Sequence, residues 1–563
     1  MVGFASAGNV FAAAVGETAT FNVDKNVDAT ARTKIPAQLI YIGNNLYIYV
    51  EQSWWQQQTP TQQAAVTTNL STLSTEFDNN IYPKLTSLFG NKFQASANGD
   101  GKITVFFEEM NAQEGGYFNE ADEYPKIQVS TSNERNMLYV SLDEISDLAM
   151  SKRVLAHEFT HLIEFNQKNV AYGVEDDQWL NEARADYSST ILGYDDTYAG
   201  SNLQQRVNDF VASPSDALTE WQGTAADYAS VSLFTHYLVD HYGIAVLADS
   251  LHSKYVGIAS LNYALQKEGS KDTFNDIVTN WAVASVANNC QLGANYCYLN
   301  PNLTTFKLAP SLNFLPVTGN VSLSVTNMVK PWSGNWLKFI GGNGNLQLNF
   351  SSMKGLYFKV PYIVVDSAGS QTVSFLQLDQ NQEGTIALSN FGQDYKYLIL
   401  MPLLESSDVS GAADATAQAW QGSTAPIYSY SYTVSLSGNP SGSTQATIAQ
   451  LQDTIAYLES EIAALQGGAM TAGSCAAFTK NLYQGMNGSA DVKCLQQFLA
   501  SQGTNIYPSA LVTGFFGNLT KQAVILFQEK YATDILLPIG LSKGTGFVGA
   551  ATRAEINQIL AGQ

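Results

Sequence analysis

His157, Glu158 and His161 stand in the order H-E-F-T-H, in a chain of 563 residues that holds only five histidines. On a helix, residues four positions apart share a face, so the two rings can grip a single metal ion, and Zn2+ is the ion such a pair suits. Glu158 follows the first histidine directly, where its carboxylate can hold a water at the metal and take its proton. A catalytic zinc takes three protein ligands and keeps one position open. The stretch W-L-N-E-A-R-A-D-Y at 179–187 offers Glu182 as the third ligand. Asp186, one helical turn further on, can accept a hydrogen bond from the outer ring nitrogen of a ligating histidine. Trp179, Leu180 and Ala183 supply the apolar anchor behind this helix. The chemistry these residues point to is metal-assisted hydrolysis, with His157, His161 and Glu182 on the metal and Glu158 as the base.

Hydrolysis of an amide also needs a donor for the oxyanion that develops. The segment DYASVSLFTHYLVDHYG reads as a helix over 226–242 and carries Tyr228, His236 and His241. Tyr228 and His236 are eight residues apart, about 80° around a helix and roughly 12 Å along it, so both cannot serve one oxyanion. Both are catalytic candidates. Tyr228, near the start of the helix, is preferred, because His236 lies in an apolar run between Phe234 and Leu238, and His241 is expected to be a packing or surface residue.

These residues need a scaffold. From about residue 17 to 145 strands and helices mix. LIYIGNNLYIYVE reads as a hairpin turning at Asn44-Asn45, the tract from Thr59 as a capped helix, and KITVFFEEM and NMLYVSL as strands. The metal-binding helix is expected over 151–168 with Ser151 as its cap, and helices continue to about 288. Asn98-Gly99-Asp100-Gly101-Lys102 reads as a tight turn into a strand. A calcium loop is disfavoured there, because Ser96 and Phe107 stand at the first and twelfth ligand positions. After Asn300 the text becomes strand after strand with Gly-rich turns, an all-β region over 303–436 expected to be a sandwich. Residues 437–474 read as a linker. Within it Ile448, Leu451, Ile455, Leu458, Ile462 and Leu465 form a short heptad seam over 446–466, able to act as a stalk helix or to pair two chains weakly.

Composition narrows the function classes. The net charge of −21 disfavours nucleic acid and anionic membrane surfaces, and no run of residues reaches the ~18 apolar positions needed to span a bilayer. The four cysteines fall as Cys290 with Cys297 and Cys475 with Cys494, the spacing of short-loop disulfides in an oxidising, extracellular setting. Residues 1–34 form an N-terminal segment whose small apolar start is a candidate signal remnant.

The metal-site residues resemble the gluzincin, or thermolysin-like, metallopeptidases, in which H-E-x-x-H is followed by an N-E-x-x-x-D element. The match covers His157, Glu158, His161, Asn181, Glu182 and Asp186. GGYFNEADE, SNERNMLYV, HEFTHLIEFNQ and WLNEARADY look like the hyicolysin-like and immune-inhibitor-like secreted proteases. The resemblance spans roughly 35–290 and implies an α+β zincin-like catalytic domain over 35–302. Residues 475–563 resemble the peptidoglycan-binding-1 family, a small three-helix module. The residues that carry this are Asp491, Val492, Leu495, Gln496, Leu499, Gly514, Phe516, Gly517, Thr520, Ala523, Val524, Phe527, Gln528, Gly546, Gly549, Thr552 and Arg553. Together the resemblances imply a multidomain, secreted zinc endopeptidase acting on protein or peptide substrates and held at bacterial peptidoglycan. Two alternatives stand beside it: a peptidase of peptidoglycan cross-links, and a catalytically silent surface or adhesive protein.

Overall fold

The computed structural model describes residues 13–92, 100–111, 114–316, 320–405, 425–437, 477–483, 486, 490–503, 506–507, 512, 514, 516 and 518–561. The heptad tract at 446–466 and Cys475 lie outside the described residues. The chain divides into two compact units: 1–313 with 320–339 and 344–437, and 438–563 with 314–319 and 340–343. Both helices and several sheets are present, and among the described residues no helix is long and apolar enough to cross a membrane.

The first unit opens with a six-stranded sheet. Its strands are β1 (Thr18–Asn22), β2 (Lys34–Ile42), β3 (Leu46–Glu51), β4 (Ile103–Glu108), β5 (Gly116–Phe118) and β6 (Met137–Ser141), in the order β1-β2-β3-β4-β6-β5. β2 and β3 form the hairpin anticipated at Asn44-Asn45. β3, β4 and β6 run parallel. Parallel strands are covered on both faces, which is why ITVFFE and MLYVS are buried throughout. β5 pairs antiparallel with β6 and ends the sheet order.

Helices cover the sheet. After α1 (Gln52–Gln57) comes α2 (Pro60–Glu76), which begins as its sequence demands: Thr59 and Gln62 form a capping box, with Pro60 in the first turn. After α3 (Tyr82–Phe89), α4 spans Leu148–Glu164, starting three residues earlier than expected. Asp147 is its cap, accepting from the amides of Ala149 and Met150, while Ser151 sits inside the helix and donates to the Glu144 carbonyl. A carboxylate at the cap also meets the positive end of the helix dipole, which favours Asp147 over Ser151. α4 then loosens into a π-helical turn over Phe165–Val170. α5 (Gln178–Ile191), α6 (Asn202–Ala212), α7 (Ala225–Tyr242), α8 (Ala245–Leu251), α9 (Gly257–Lys267) and α10 (Phe274–Ala287) follow. The Cys290–Cys297 disulfide closes the loop after α10.

The change of texture near residue 302 marks a switch from helix to strand and not a border between compact units. Seven strands run in the order Gln371–Phe375, Pro361–Asp366, Tyr395–Leu400, Glu383–Phe391, Gly344–Ser352, Tyr428–Ser437 and Val321–Val329. They link into one nine-stranded sheet, but Glu383–Phe391 meets Tyr395–Leu400 at a single pair, Phe391 with Tyr395, so among the described residues two groups of strands join only there; a separate ribbon pairs Tyr357–Lys359 with Leu403–Glu405. Trp332 and Trp336 carry this region into the helical core. Their indole N–H groups donate to Asn275 Oδ1 (2.8 Å) and the Ala282 carbonyl (2.9 Å), both on α10. Ile363, Val365, Ile399 and Met401 pack into the same apolar core as α4, α5 and α7.

The face of the six-stranded sheet opposite α4 buries a polar chain. Tyr117 donates to Glu108 Oε1 (2.9 Å), stacks on Tyr139 at 4.1 Å, and Tyr139 donates to Asp122 (2.6 Å). Burial pushes Glu108 up to about 8. A carboxyl raised in the folded state favours folding while it stays protonated, and that contribution is lost as pH rises from the ordinary carboxylate range toward 8. Glu108→Gln should therefore flatten the fall in thermal stability between pH ~5 and ~8, an effect on the order of a few kcal/mol, since one pKa unit is worth ~1.4 kcal/mol. Melting curves with the same pH slope in both proteins would refute it.

Apart from 314–316 and 340–343, the second unit is described by residues 477–561 with gaps. Its helices Ala490–Ser501, Asn518–Lys530 and Ala550–Ala561 surround a core of Val492, Leu495, Leu499, Phe516, Val524, Phe527, Val548 and Ile556. A repeat not apparent from apolar spacing emerges here. Gln496 accepts from the Gly514 amide (2.8 Å) and donates to Thr520 (2.9 Å). Gln528, 32 positions later, accepts from the Gly546 amide (3.0 Å) and donates to Thr552 (2.9 Å). Each buried glutamine amide ties a helix to the turn that starts the next. Both glycines have positive φ, 79° and 75°, which explains the residue type.

Candidate metal centre

α4 presents His157 and His161 on one face, with their Nε2 atoms 3.2 Å apart. α5 packs across α4 and brings Glu182 Oε2 to 3.1 Å from His157 Nε2 and 3.7 Å from His161 Nε2. The three atoms form a triangle whose corners lie about 1.9–2.0 Å from a common centre, near the ~2.0–2.2 Å at which nitrogen and carboxylate ligands bind zinc. These residues could hold one metal ion. Glu182 Oε1 is held by Gln178 Nε2 at 2.7 Å, from the preceding turn of α5. Burial opposes the Glu182 charge, but His161 and His157 outweigh it and hold the carboxyl far below the usual range, so it faces the histidines as an anion.

Glu158 is buried beside the trio. Burial raises its pKa, the two histidines pull it back, and the result stays above the ordinary carboxylate value. That is the direction a proton-accepting carboxylate needs to work near neutral pH. β5 lies directly over it. A Cβ at Gly116 would stand 2.6 Å from the Tyr139 carbonyl and from Val154 Cγ1, and 3.3 Å from Glu158 Cγ, so only glycine lets this edge strand approach α4.

A carboxylate on the same helix faces one of the candidate ligands. His161 Nδ1 lies 2.9 Å from Glu164 Oε2, one turn along the same helix. Asp186, the expected partner of a ligating histidine, accepts through its Oδ1 from Arg206 Nε (2.9 Å), Arg206 Nη2 (2.8 Å) and Asn202 Nδ2 (2.9 Å), all from α6. Burial pushes Asp186 up, yet Arg206 holds it below its usual value. Arg206 in turn lies 4.5 Å over the ring of Tyr228.

Tyr228 and His236 part company. The Tyr228 ring is 6.3 Å from that of His157 and packs against Trp221 at 4.8 Å. Burial, then the Glu182 and Glu158 carboxylates, raise the phenol, which keeps it a hydrogen-bond donor. His236 is buried with both nitrogens engaged, Nδ1 with Asn300 Nδ2 at 3.2 Å and Nε2 with Thr190 Oγ1 at 3.3 Å. Burial lowers it to about 4, leaving it neutral. His241 bonds the Cys297 carbonyl at 2.9 Å, a packing role. Tyr228→Phe is expected to cut kcat by roughly 10²–10³ with zinc content unchanged. His236→Gln is expected to lose more stability than activity. Kinetics, metal analysis and melting on both variants decide it, and reversed effects would move the oxyanion role to His236.

Gln178, Glu164, Arg206 and Trp221 were not singled out from sequence. Two of them carried a signal: Gln178 stands four residues before Glu182 and Glu164 three after His161, the spacings at which helix side chains meet. Arg206 and Trp221 come from separate elements, and no local pattern marks them.

No family model matches this chain, and no curated protein matches it. Solved structures with a partial likeness include the pre-peptidase C-terminal domain of collagenase from Bacillus anthracis, at 9% identity over 22% of this chain and 96% of that one, TM-score 0.14. Others are the periplasmic g-type lysozyme inhibitor PliG of Aeromonas hydrophila (13% identity, 23% and 100% coverage, TM-score 0.14) and the surface-associated copper-binding protein CorA of Methylomicrobium album BG8 (9%, 23% and 100%, TM-score 0.14). At these TM-scores none bears on fold or function.

Proposed function

We propose that this chain is a secreted zinc endopeptidase, with His157, His161 and Glu182 holding the metal. The observation that carries the reading is the meeting of three ligand atoms from two helices around one point, with the Glu158 carboxylate beside them. Zinc bound there supplies Lewis acidity to the scissile carbonyl and to an attacking water. Glu158 takes the proton of that water and returns it to the leaving nitrogen. Tyr228 donates to the oxyanion, and Arg206 holds its ring in place. β5 is the edge strand next to Glu158, and main-chain pairing along such an edge is how an extended peptide is held with little demand on its side chains. The Cys290–Cys297 disulfide supports an oxidising, extracellular setting. In this reading the scaffold around the site is zincin-like, and the C-terminal unit, which resembles peptidoglycan-binding modules, holds the enzyme at the wall.

That module also favours a second reading, a peptidase of peptidoglycan cross-links, because it would concentrate the enzyme on that polymer. Casein and purified peptidoglycan assayed side by side, with and without a zinc chelator, separate the readings. We expect cleavage of casein, loss of it with chelator, and recovery on adding zinc. Release of peptides from peptidoglycan alone would select the second reading. A zinc-loaded protein that cleaves neither would be a silent surface protein.

A further inference from the structure

We infer that Arg184 is a positioning residue for the metal centre, holding Glu164 and through it the orientation of His161; this rests on the metal reading above. Arg184 lies on α5 two residues after Glu182 and is fully buried. Its Nη1 reaches Glu164 Oε1 at 3.4 Å and Asn181 Oδ1 at 3.2 Å, and its Nη2 reaches Asp176 Oδ2 at 2.8 Å and Ser250 Oγ at 2.9 Å. Lys168, equally buried, completes the knot with Asp176 at 3.4 Å and the Ser250 carbonyl at 2.7 Å. Two cations and two carboxylates are thus withdrawn from water directly behind a ligating histidine. Such groups are costly to bury, and replacing them with apolar side chains is often neutral or stabilising, so stability alone is a weak reason for them.

Their geometry suggests another reason. Glu164 Oε2 faces His161 Nδ1, so the neutral tautomer with its proton on Nδ1 donates to Glu164 and offers the Nε2 lone pair toward Glu182 and His157. Glu164 can keep that stance only if its other oxygen is fixed, and Arg184 is what fixes it. The planar guanidinium spans Glu164 and Asp176 at once; a lysine ammonium at the same position can serve only one. Lys168 touches Asp176 but has no hydrogen bond to Glu164, so it shares the burial without the link to His161.

The test is the zinc dissociation constant of the full chain, by competition with a chromophoric chelator at neutral pH and below each protein's melting temperature. Parent, Arg184→Lys, Arg184→Gln, Glu164→Gln and Lys168→Met are compared. Weaker zinc binding, by roughly 10–100-fold, is expected in Glu164→Gln and in whichever Arg184 variants fold. Lys168→Met should lower the melting temperature while binding zinc nearly as the parent does. Equal affinity in the Arg184 variants and parent, with only melting lowered, overturns the inference while leaving the metal reading intact. So does a Lys168→Met loss as large as theirs, which would mark a general effect of breaking the knot. A parent that binds no zinc removes the metal reading, and this inference with it.

Discussion

Glu158→Gln is expected to retain one zinc per chain and to lose hydrolysis by roughly 10²–10⁴-fold, the range over which a positioned general base contributes. Glutamine keeps the shape and the contact beneath Gly116 but cannot take a proton. The neighbouring ligand atoms do not depend on it: the His157, His161 and Glu182 contacts close among themselves. Metal content and turnover measured on one sample make the comparison clean. Undiminished activity would end the mechanism as drawn, and loss of zinc along with activity would place Glu158 among the ligands.

Glu182→Ala should have the largest effect on the metal itself. The carboxylate is the one anionic member of the trio, and it comes from a different helix than the two histidines. Alanine removes a ligand and leaves a pair from a single helix, so zinc affinity should fall well beyond the ~10–100-fold typical of residues that only support a ligand. Gln178 would also lose its partner on Glu182 Oε1, a cost to α5 that melting would register. Chelator competition reads the affinity directly. Zinc held as tightly in the alanine variant as in the parent would mean that the third ligand lies elsewhere.

The two supporting carboxylates show how far local pattern carries. Asp186 has helix spacing from Glu182 in its favour, and it is buried near the site as that spacing implies. Which cation it meets depends on the path of α6, and Arg206 arrives there from twenty positions away. Glu164 meets His161 within a single helix, so its role was within reach of the sequence, yet any nearby carboxylate could have filled it.

The sequence by itself determined whatever a single helix or turn dictates. The i, i+4 geometry put His157 and His161 on one face; Thr59, Pro60 and Gln62 set the start of α2; the Asn44-Asn45 turn set the hairpin; and a separation of seven positions from Cys290 to Cys297 set a local disulfide. These are short-range matters, decided by backbone geometry within a few residues. Only the tertiary structure shows what Tyr228 and His236 face, because both lie on α7 and its sides pack differently: the Tyr228 ring lies beside His157, and His236 lies between Asn300 and Thr190. The union of the strand-rich region with the helical core was likewise hidden, since Trp332 and Trp336 read as ordinary apolar residues until α10 is placed beneath them. The buried knot of Arg184, Glu164, Asp176 and Lys168 belongs to the same class. Charges scattered over 164–184 look like a solvated surface in sequence, and only the closure of α4, α5 and α8 around them takes the water away.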